Sequence, residues 1–379
     1  MGELIAGANF SGRSVALRER LKAVAPNAFY IGPHAEAALS GLSSTVGDEI
    51  AIYQSPTARA PFAQLDFEAW ASRKPPTLSG GEQVLLALYC FSCSPYRAIG
   101  IDTALEQLDP ANREDTLSYL SREDIDAVLV DNQLDTLDGW HCSTLQGDSV
   151  AFACNLPAAI AALPRRTVPR IEVRQLSFAY PGGRTIFRDF DLTLDPGRVY
   201  RFSGSNGAGK TTLFKLLAGV LAPQSGTLAL DGVPYAPWRT GNRIFALATQ
   251  NPDHQWCGAT LAEDLSRRRA AVRRFGELVM PDDGALAHVA AKLGVPSFEQ
   301  HLYELPLVAR KRLSWLWPLC GTMPWVMLDE PTIGQDAATR AALAKAVGQL
   351  ATLGYGVVFI THDNAFAAAI DHTPIRLGA

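Results

Sequence analysis

One stretch of the sequence has the residue types and spacing to hold phosphate: Gly204-Ser-Asn-Gly-Ala-Gly-Lys-Thr-Thr212. Its glycines let the backbone wrap around phosphate oxygens, and amides at a helix start donate hydrogen bonds. Lys210 supplies a point charge at the outer phosphates, and the Thr211 hydroxyl can ligate Mg²⁺. Further along, Trp325-Val-Met-Leu-Asp-Glu330 is an apolar run ending in two carboxylates, and Val357-Val-Phe-Ile-Thr361 is another, followed by His362-Asp363. As parallel strands beside the loop, these runs would bring Asp329 near a metal and Glu330 near an attacking water, as phosphoryl transfer to water requires. Alone, such an acidic pair is more often a strand end or helix cap, and a lone histidine after a strand is more often structural. The weight comes from finding all three in order.

Strands and turns must position these groups. Val199-Tyr-Arg-Phe-Ser203 reads as a buried strand entering the loop, and Leu213 to Leu217 as the apolar helix leaving it. Parallel sheets carry their reactive loops at the carboxyl ends of their strands. The stretch from Ala153 to Pro169, with Pro157, Pro164 and Pro169 among alanines, breaks any long helix and precedes a strand pattern starting at Ile171. This places a linker at 153–170, between a first half (1–152) and a second (171–379). The segments on either side repeat at a period far longer than a solenoid unit, as two copies of one domain would.

Over nearly its whole length the chain resembles the ATP-binding cassette ATPases. The second half carries Tyr180 where that family places an adenine-stacking aromatic, then the phosphate loop, Gln250, the acidic strand, the loop Ile333-Gly-Gln-Asp336 and His362. It lacks the Leu-Ser-Gly-Gly-Gln signature, reading Leu305-Pro-Leu-Val-Ala309 instead. The first half is the reverse case. Its signature, Leu78-Ser-Gly-Gly-Glu-Gln83, is intact, but its phosphate loop reads Gly7-Ala-Asn-Phe-Ser-Gly-Arg-Ser14, with Arg13 in the lysine position and Phe10 replacing a glycine. Its acidic strand, Ala98 to Asp102, is followed by Thr103 where the second carboxylate belongs, and Asn132 stands in the histidine position.

The resemblance implies an α/β fold of the P-loop cassette type in two tandem copies. The first copy would be truncated and lack the N-terminal antiparallel β layer, since only Met1 to Ala6 precede its loop. In the family two cassettes pack head to tail, so the halves would form an intramolecular pseudo-dimer with one competent site. ATP would lie on Tyr180, Ser205, Asn206, Gly207, Ala208, Gly209, Lys210, Thr211, Thr212 and Gln250, facing Ser79, Gly80, Gly81 and Glu82 of the first half. Mg²⁺ would be held by Thr211, Gln250 and Asp329, and catalysis would fall to Glu330, His362 and Lys210. The opposite site, built from Arg13, Thr103, Asn132 and Leu305 to Ala309, would be dead for hydrolysis: proline removes an N–H donor, and threonine cannot replace the carboxylate.

Gln250-Asn-Pro-Asp-His-Gln255 and Thr260-Leu-Ala-Glu-Asp264 are similar to segments of the ATPase subunits of energy-coupling-factor importers and related cobalt or nickel systems. The first half echoes them in Ser44 to Ile50. That likeness implies ATP hydrolysis coupled to transport through a separately encoded transmembrane subunit, docked near the residues after Gln250 and around Leu42 to Glu49. A soluble cassette ATPase acting on RNA or ribosomes is the rival; a regulatory module without turnover is disfavoured by Glu330 and His362.

Composition sets the outer bounds. At 379 residues the chain exceeds the ~100–200 of one ordinary domain. With 47% hydrophobic and 19% charged residues and a mean hydropathy of +0.04, it is neither disordered nor a polytopic membrane protein. Apolar runs such as Val84 to Cys93 fall short of the ~20 residues of a bilayer span, and the N-terminus lacks a secretory signal. The expected location is therefore the cytoplasm, peripheral to the inner face of the membrane. A net charge of −4 gives no reason to expect a stable nucleic-acid partner. Cys90 and Cys93 sit three apart on an apolar helix with no second pair to complete a metal site. The run Arg267 to Arg269 with Arg273 and Arg274 reads as a solvated helical face, with anionic lipid or RNA as the alternative. Trp315, Trp317 and Trp325 read as core or interface packing.

Overall fold

The computed structural model describes residues 2–7, 12–56, 62, 67–145, 168–181, 185–205, 207–275, 283–293, 297–305, 307–319 and 323–378. Residues 153–167 of the expected linker, with Phe10 and Asn206, lie outside these. The chain divides into two units. Unit 1 comprises Met1–Val150 with Ser205–Gly207 and Ile333–Ala337; unit 2 comprises Ala151–Gly204, Ala208–Thr332 and Ala338–Ala379.

Unit 1 contains a parallel sheet of β1 (Glu3–Gly7), β2 (Phe29–Ile31), β3 (Ala98–Asp102), β4 (Asp126–Val130) and β5 (His141–Leu145), in the order β2-β3-β4-β1-β5. β3 is buried along its whole length, as a central parallel strand must be. Its alternate side chains feed two cores: Ile99 and Ile101 join one, Ala98 the other. Gly100 is required by the helix Arg13–Val24, because a Cβ there would meet Leu21 Cδ2 at 2.7 Å and Leu17 Cδ2 at 2.9 Å. The helix Gly80–Cys93 buries Val84 through Leu88 together with Cys90 and Phe91, which makes it a core helix apolar nearly all round.

Unit 2 holds two sheets. β6 (Ile171–Ala179), β7 (Thr185–Leu194), β9 (Ser225–Leu230) and β10 (Val233–Pro234) form an antiparallel sheet in the order β10-β9-β6-β7. β8 (Val199–Ser203), β11 (Phe245–Ala248), β12 (Trp325–Asp329), β13 (Gly356–Ile360) and β14 (Thr373–Arg376) form a parallel sheet in the order β11-β12-β13-β8-β14. Counted within each unit, the two parallel sheets have the same strand order. In β12, Trp325 and Met327 face the core shared with the antiparallel sheet and the helix Lys210–Leu217, while Val326 and Leu328 face the core that includes the helix Ala337–Thr352.

The α/β fold and the antiparallel layer of the second half are as expected. Among the described residues of unit 1 every strand belongs to the parallel sheet. Trp315 and Trp325 are core residues, with Trp325 Nε1 donating to the Pro169 carbonyl at 2.9 Å; the side chain of Trp317 lies outside the described residues. Among those residues no helix is long and apolar enough to cross a membrane.

Candidate active site

The phosphate loop leaves β8, which has β13 on one side and β14 on the other, at the carboxyl edge of the sheet. Gly204 and Gly209 have φ of 148° and 93°, and a Cβ would lie 2.6 Å from the Leu377 carbonyl oxygen or 2.5 Å from Ile186 Cγ2, so only glycine fits. Ala208 is buried behind the loop. Lys210 opens the helix Lys210–Leu217, and its Nζ reaches back to the Gly204 carbonyl at 2.8 Å. The Tyr180 hydroxyl lies 3.3 Å from Thr212 Oγ1, and its ring packs edge-on against Phe178.

The loop meets the acidic strand through Thr211, whose hydroxyl donates to Asp329 Oδ2 at 3.2 Å. Asp329 is buried, and its Oδ1 has no hydrogen-bond partner. Burial, reinforced by Glu330, pushes its carboxyl up to about 6. An unpartnered, buried carboxylate oxygen beside a hydroxyl is an all-oxygen donor set that suits Mg²⁺. The structure brings Thr211 and Asp329 together. Gln250 follows β11, the neighbour of β12, and its backbone carbonyl accepts from Lys311 Nζ.

Glu330 is not part of the strand: it turns into the left-handed region at φ 48°, with its N–H donating to the Ile360 carbonyl at 2.9 Å. Its Oε2 accepts the His362 backbone N–H at 3.2 Å, and His362 Nε2 lies 3.6 Å from Oε1. Burial pushes the Glu330 carboxyl up to about 7, against the His362 N–H and the charges of Lys210 and Lys311.

Lys311 escaped the sequence reading. It is buried on the short helix Leu307–Leu313, which starts where the signature is missing, and its charge acts on both Asp329 and Glu330. Its only sequence cue is a place within Arg310-Lys-Arg312, and basic runs ordinarily face solvent. Here Arg310 lies 3.3 Å from Asp253, and Arg312 donates to Thr339 Oγ1 at 2.7 Å. Leu305 is buried, while Pro306 lies outside the described residues.

In unit 1 the signature opens the helix Gly80–Cys93. Ser79 is its N-cap, accepting from the Glu82 N–H while Glu82 Oε2 accepts the Ser79 N–H at 2.7 Å, a reciprocal capping box. Arg73 holds Glu82 from outside at 2.7 Å. Ser79 and Gly80 therefore lie at a helix N-terminus with Gly81 in its first turn, where backbone donors and the helix dipole favour an anion. Within the same unit, a Cβ on Gly207 (φ 77°) would come 3.2 Å from Glu82 Oε1. Thr103 repeats the backbone of Glu330, with φ 57° and its N–H on the Val130 carbonyl at 2.8 Å.

The basic run is tied into unit 2 rather than presented as a bare stripe. Arg268 bonds the buried Asp264 at 2.7 Å, Arg269 pairs with Asp283, and Arg267 bonds the Cys257 carbonyl; the side chains of Arg273 and Arg274 lie outside the described residues. Cys90 and Cys93 are on one helix, as expected.

A family model described as "ABC transporter" matches residues 187–333. A Streptomyces avermitilis protein named as an ABC transporter ATP-binding protein is 31% identical over 217 residues, covering 56% of this chain and 80% of that protein. The energy-coupling factor transporter ATP-binding protein EcfA of Methanothermobacter thermautotrophicus is 31% identical over 204 residues, covering 51% and 63%. YkoD of Bacillus subtilis, whose name describes an HMP/thiamine import ATP-binding protein, is 26% identical over 345 residues, covering 76% and 61%. The chain thus spans about three fifths of the length of YkoD and of EcfA. Among solved structures, one titled as a model of ribosome-bound archaeal Pelota and ABCE1 matches 99% of this chain and 72% of that one, with a TM-score of 0.66 at 16% identity, a likeness of fold.

Proposed function

The chain belongs to the family of ABC transporter ATP-binding proteins, and from that premise we propose that it is the ATP-hydrolysing subunit of a membrane transporter with a single competent ATP site. The observation that carries this reading is the buried acidic pair at the end of β12. Asp329 keeps an unpartnered oxygen beside the Thr211 hydroxyl, and Glu330 is turned out of the strand against His362.

In this reading Lys210 and the loop amides hold the phosphates, Tyr180 supports the adenine, and Ser205 to Thr212 line the triphosphate. Thr211, Asp329 and Gln250 would hold Mg²⁺, which would supply charge neutralisation on the outer phosphates. Glu330 orients the water and takes its proton. A carboxyl near 7 is matched to that task at neutral pH, and His362 fixes its position. Ser79, Gly80, Gly81 and Glu82 complete the site from the signature helix. The complementary losses in the two halves support this composite site. The first half is then a degenerate cassette, a view supported by the shared strand order and the matching turns at Thr103 and Glu330.

The names of EcfA and YkoD, with the Gln250 to Gln255 segment, favour an energy-coupling-factor type of importer, with this chain on the cytoplasmic face against a separately encoded transmembrane subunit. Copurification with that subunit, and ATPase activity stimulated by it, tests the assignment. Stimulation by RNA or ribosomes in its place would move the chain to the soluble, non-transport class.

A further inference from the structure

We infer that the phosphate-site remnant of unit 1 takes no nucleotide, because its polar side chains ligate one another in a closed network, so the chain binds a single ATP. This goes beyond the proposed function, which concerns turnover alone.

Arg13 opens the helix Arg13–Val24 after Gly12 (φ 82°), as Lys210 opens its helix after Gly209. Lys210 turns back onto its loop, whereas Arg13 is committed elsewhere: Nη2 donates to Asn132 Oδ1 at 2.6 Å. Asn132 in turn donates to Glu106 Oε1 twice, from its backbone N–H at 2.9 Å and from Nδ2 at 2.8 Å. Glu106 Oε2 accepts the N–H of Gly334, also part of unit 1, at 2.9 Å. Arg13 is 7% exposed and Glu106 2%. Drawing Arg13 to a phosphate would break its bond to Asn132 and disturb the hydrogen bonds that Asn132 makes to the buried Glu106.

The metal position is closed as well. Asp102 ends β3 as Asp329 ends β12, but its Oδ2 accepts the Tyr30 hydroxyl at 3.2 Å, and Ser14 also hydrogen-bonds to it. Arg18 lies 5.0 Å from the centre of the Tyr30 ring and holds it in place. The Ser14 contact matches that of Thr211 with Asp329, so what sets unit 1 apart is the second hydroxyl, that of Tyr30, on the carboxylate. The charge balance is also adverse. Four carboxylates, Glu106, Asp102, Asp336 and Asp131, act on Arg13; among the described residues Arg18 acts on Asp102, and Arg113 is spent on Asp131 at 2.7 Å. One oxygen of Asp131 has no partner. A polyphosphate would enter a region that already holds several carboxylates.

The test is the stoichiometry of a non-hydrolysable ATP analogue with Mg²⁺, measured on the full chain by equilibrium dialysis. One analogue per chain is expected, weakened at least tenfold by Lys210→Ala and changed less than twofold by Arg13→Ala. Two per chain, or one that survives Lys210→Ala and is lost in Arg13→Ala, would overturn the inference. Asn132→Ala tests the structural role independently: Tm should fall by roughly 4–8 °C with the stoichiometry still one, and an unchanged Tm refutes the network. A second bound nucleotide would leave the proposed single turnover site intact; that reading fails instead if Glu330→Gln hydrolyses ATP at the wild-type rate.

Discussion

Glu330 and Thr103 occupy the same unusual backbone conformation, and only one of them carries a group that chemistry can use. Replacing Glu330 by Gln removes the base while keeping shape and hydrogen bonds, so kcat should fall by about 10²–10⁴-fold with Tm little altered, measured by phosphate release. Thr103→Ala should leave the rate within twofold, and equal losses from the two changes would refute the single-site reading. A β-branched residue in the left-handed region is strained, at about 1–2 kcal/mol. Thr103→Gly should therefore raise stability by about 1 kcal/mol in a denaturant titration, and a loss would show that the Thr103 hydroxyl, bonded to the Asp102 carbonyl, outweighs the strain. Glu106 carries a pH prediction. Burial beside Asp131 pushes its carboxyl from an ordinary 4.5 to about 7 in the fold. Because the folded value lies above the unfolded one, its favourable contribution is full below pH 4.5 and is lost as pH rises through about 7. Glu106→Gln should flatten that decline relative to wild type; a difference between the two curves that does not vary over this window would contradict it.

The elements were largely legible because each has a simple cause. The run Val199 to Ser203 is β8, Ala98 to Asp102 is β3, and the apolar stretch after the signature is a helix, all from hydrophobic pattern and glycine placement. The capping box of Ser79 and Glu82 holds the start of the signature helix, and Ser79→Ala should cost about 1 kcal/mol in stability besides its effect on nucleotide. Gly100 is another element-scale requirement: Gly100→Val would drive Leu17 and Leu21 off β3 and should destabilise by about 1–3 kcal/mol in a denaturant titration. What the sequence could not reveal depends on contacts between distant segments. The Arg13–Asn132 bond joins positions over a hundred residues apart, and Lys311 is buried against distant segments, its Nζ on the Gln250 carbonyl and its charge acting on Asp329. The pairing of Arg268 with Asp264 follows from i,i+4 spacing, but that of Arg269 with Asp283 does not.

At the scale of the whole molecule, two parallel sheets with one strand order carry different remnants of one motif set. Unit 2 carries the loop with Lys210 and Thr211 and the acidic pair Asp329 and Glu330; unit 1 carries a well-capped glycine helix start and the bonded chain Arg13–Asn132–Glu106. If this asymmetry is used in transport, each chain completes one hydrolytic event per cycle. Reconstituted with its membrane subunit, the chain should release one phosphate per chain in a single-turnover burst, and a burst of two would argue against it.

Consecutive residues of a strand face opposite ways, yet Lys210 and Lys311 act on both Asp329 and Glu330. The reversal of backbone hand at Glu330 lets two neighbouring acids share the same pair of lysines. Thr103 makes the same bend without a carboxylate, so the fold holds that backbone shape whether or not an acid stands there.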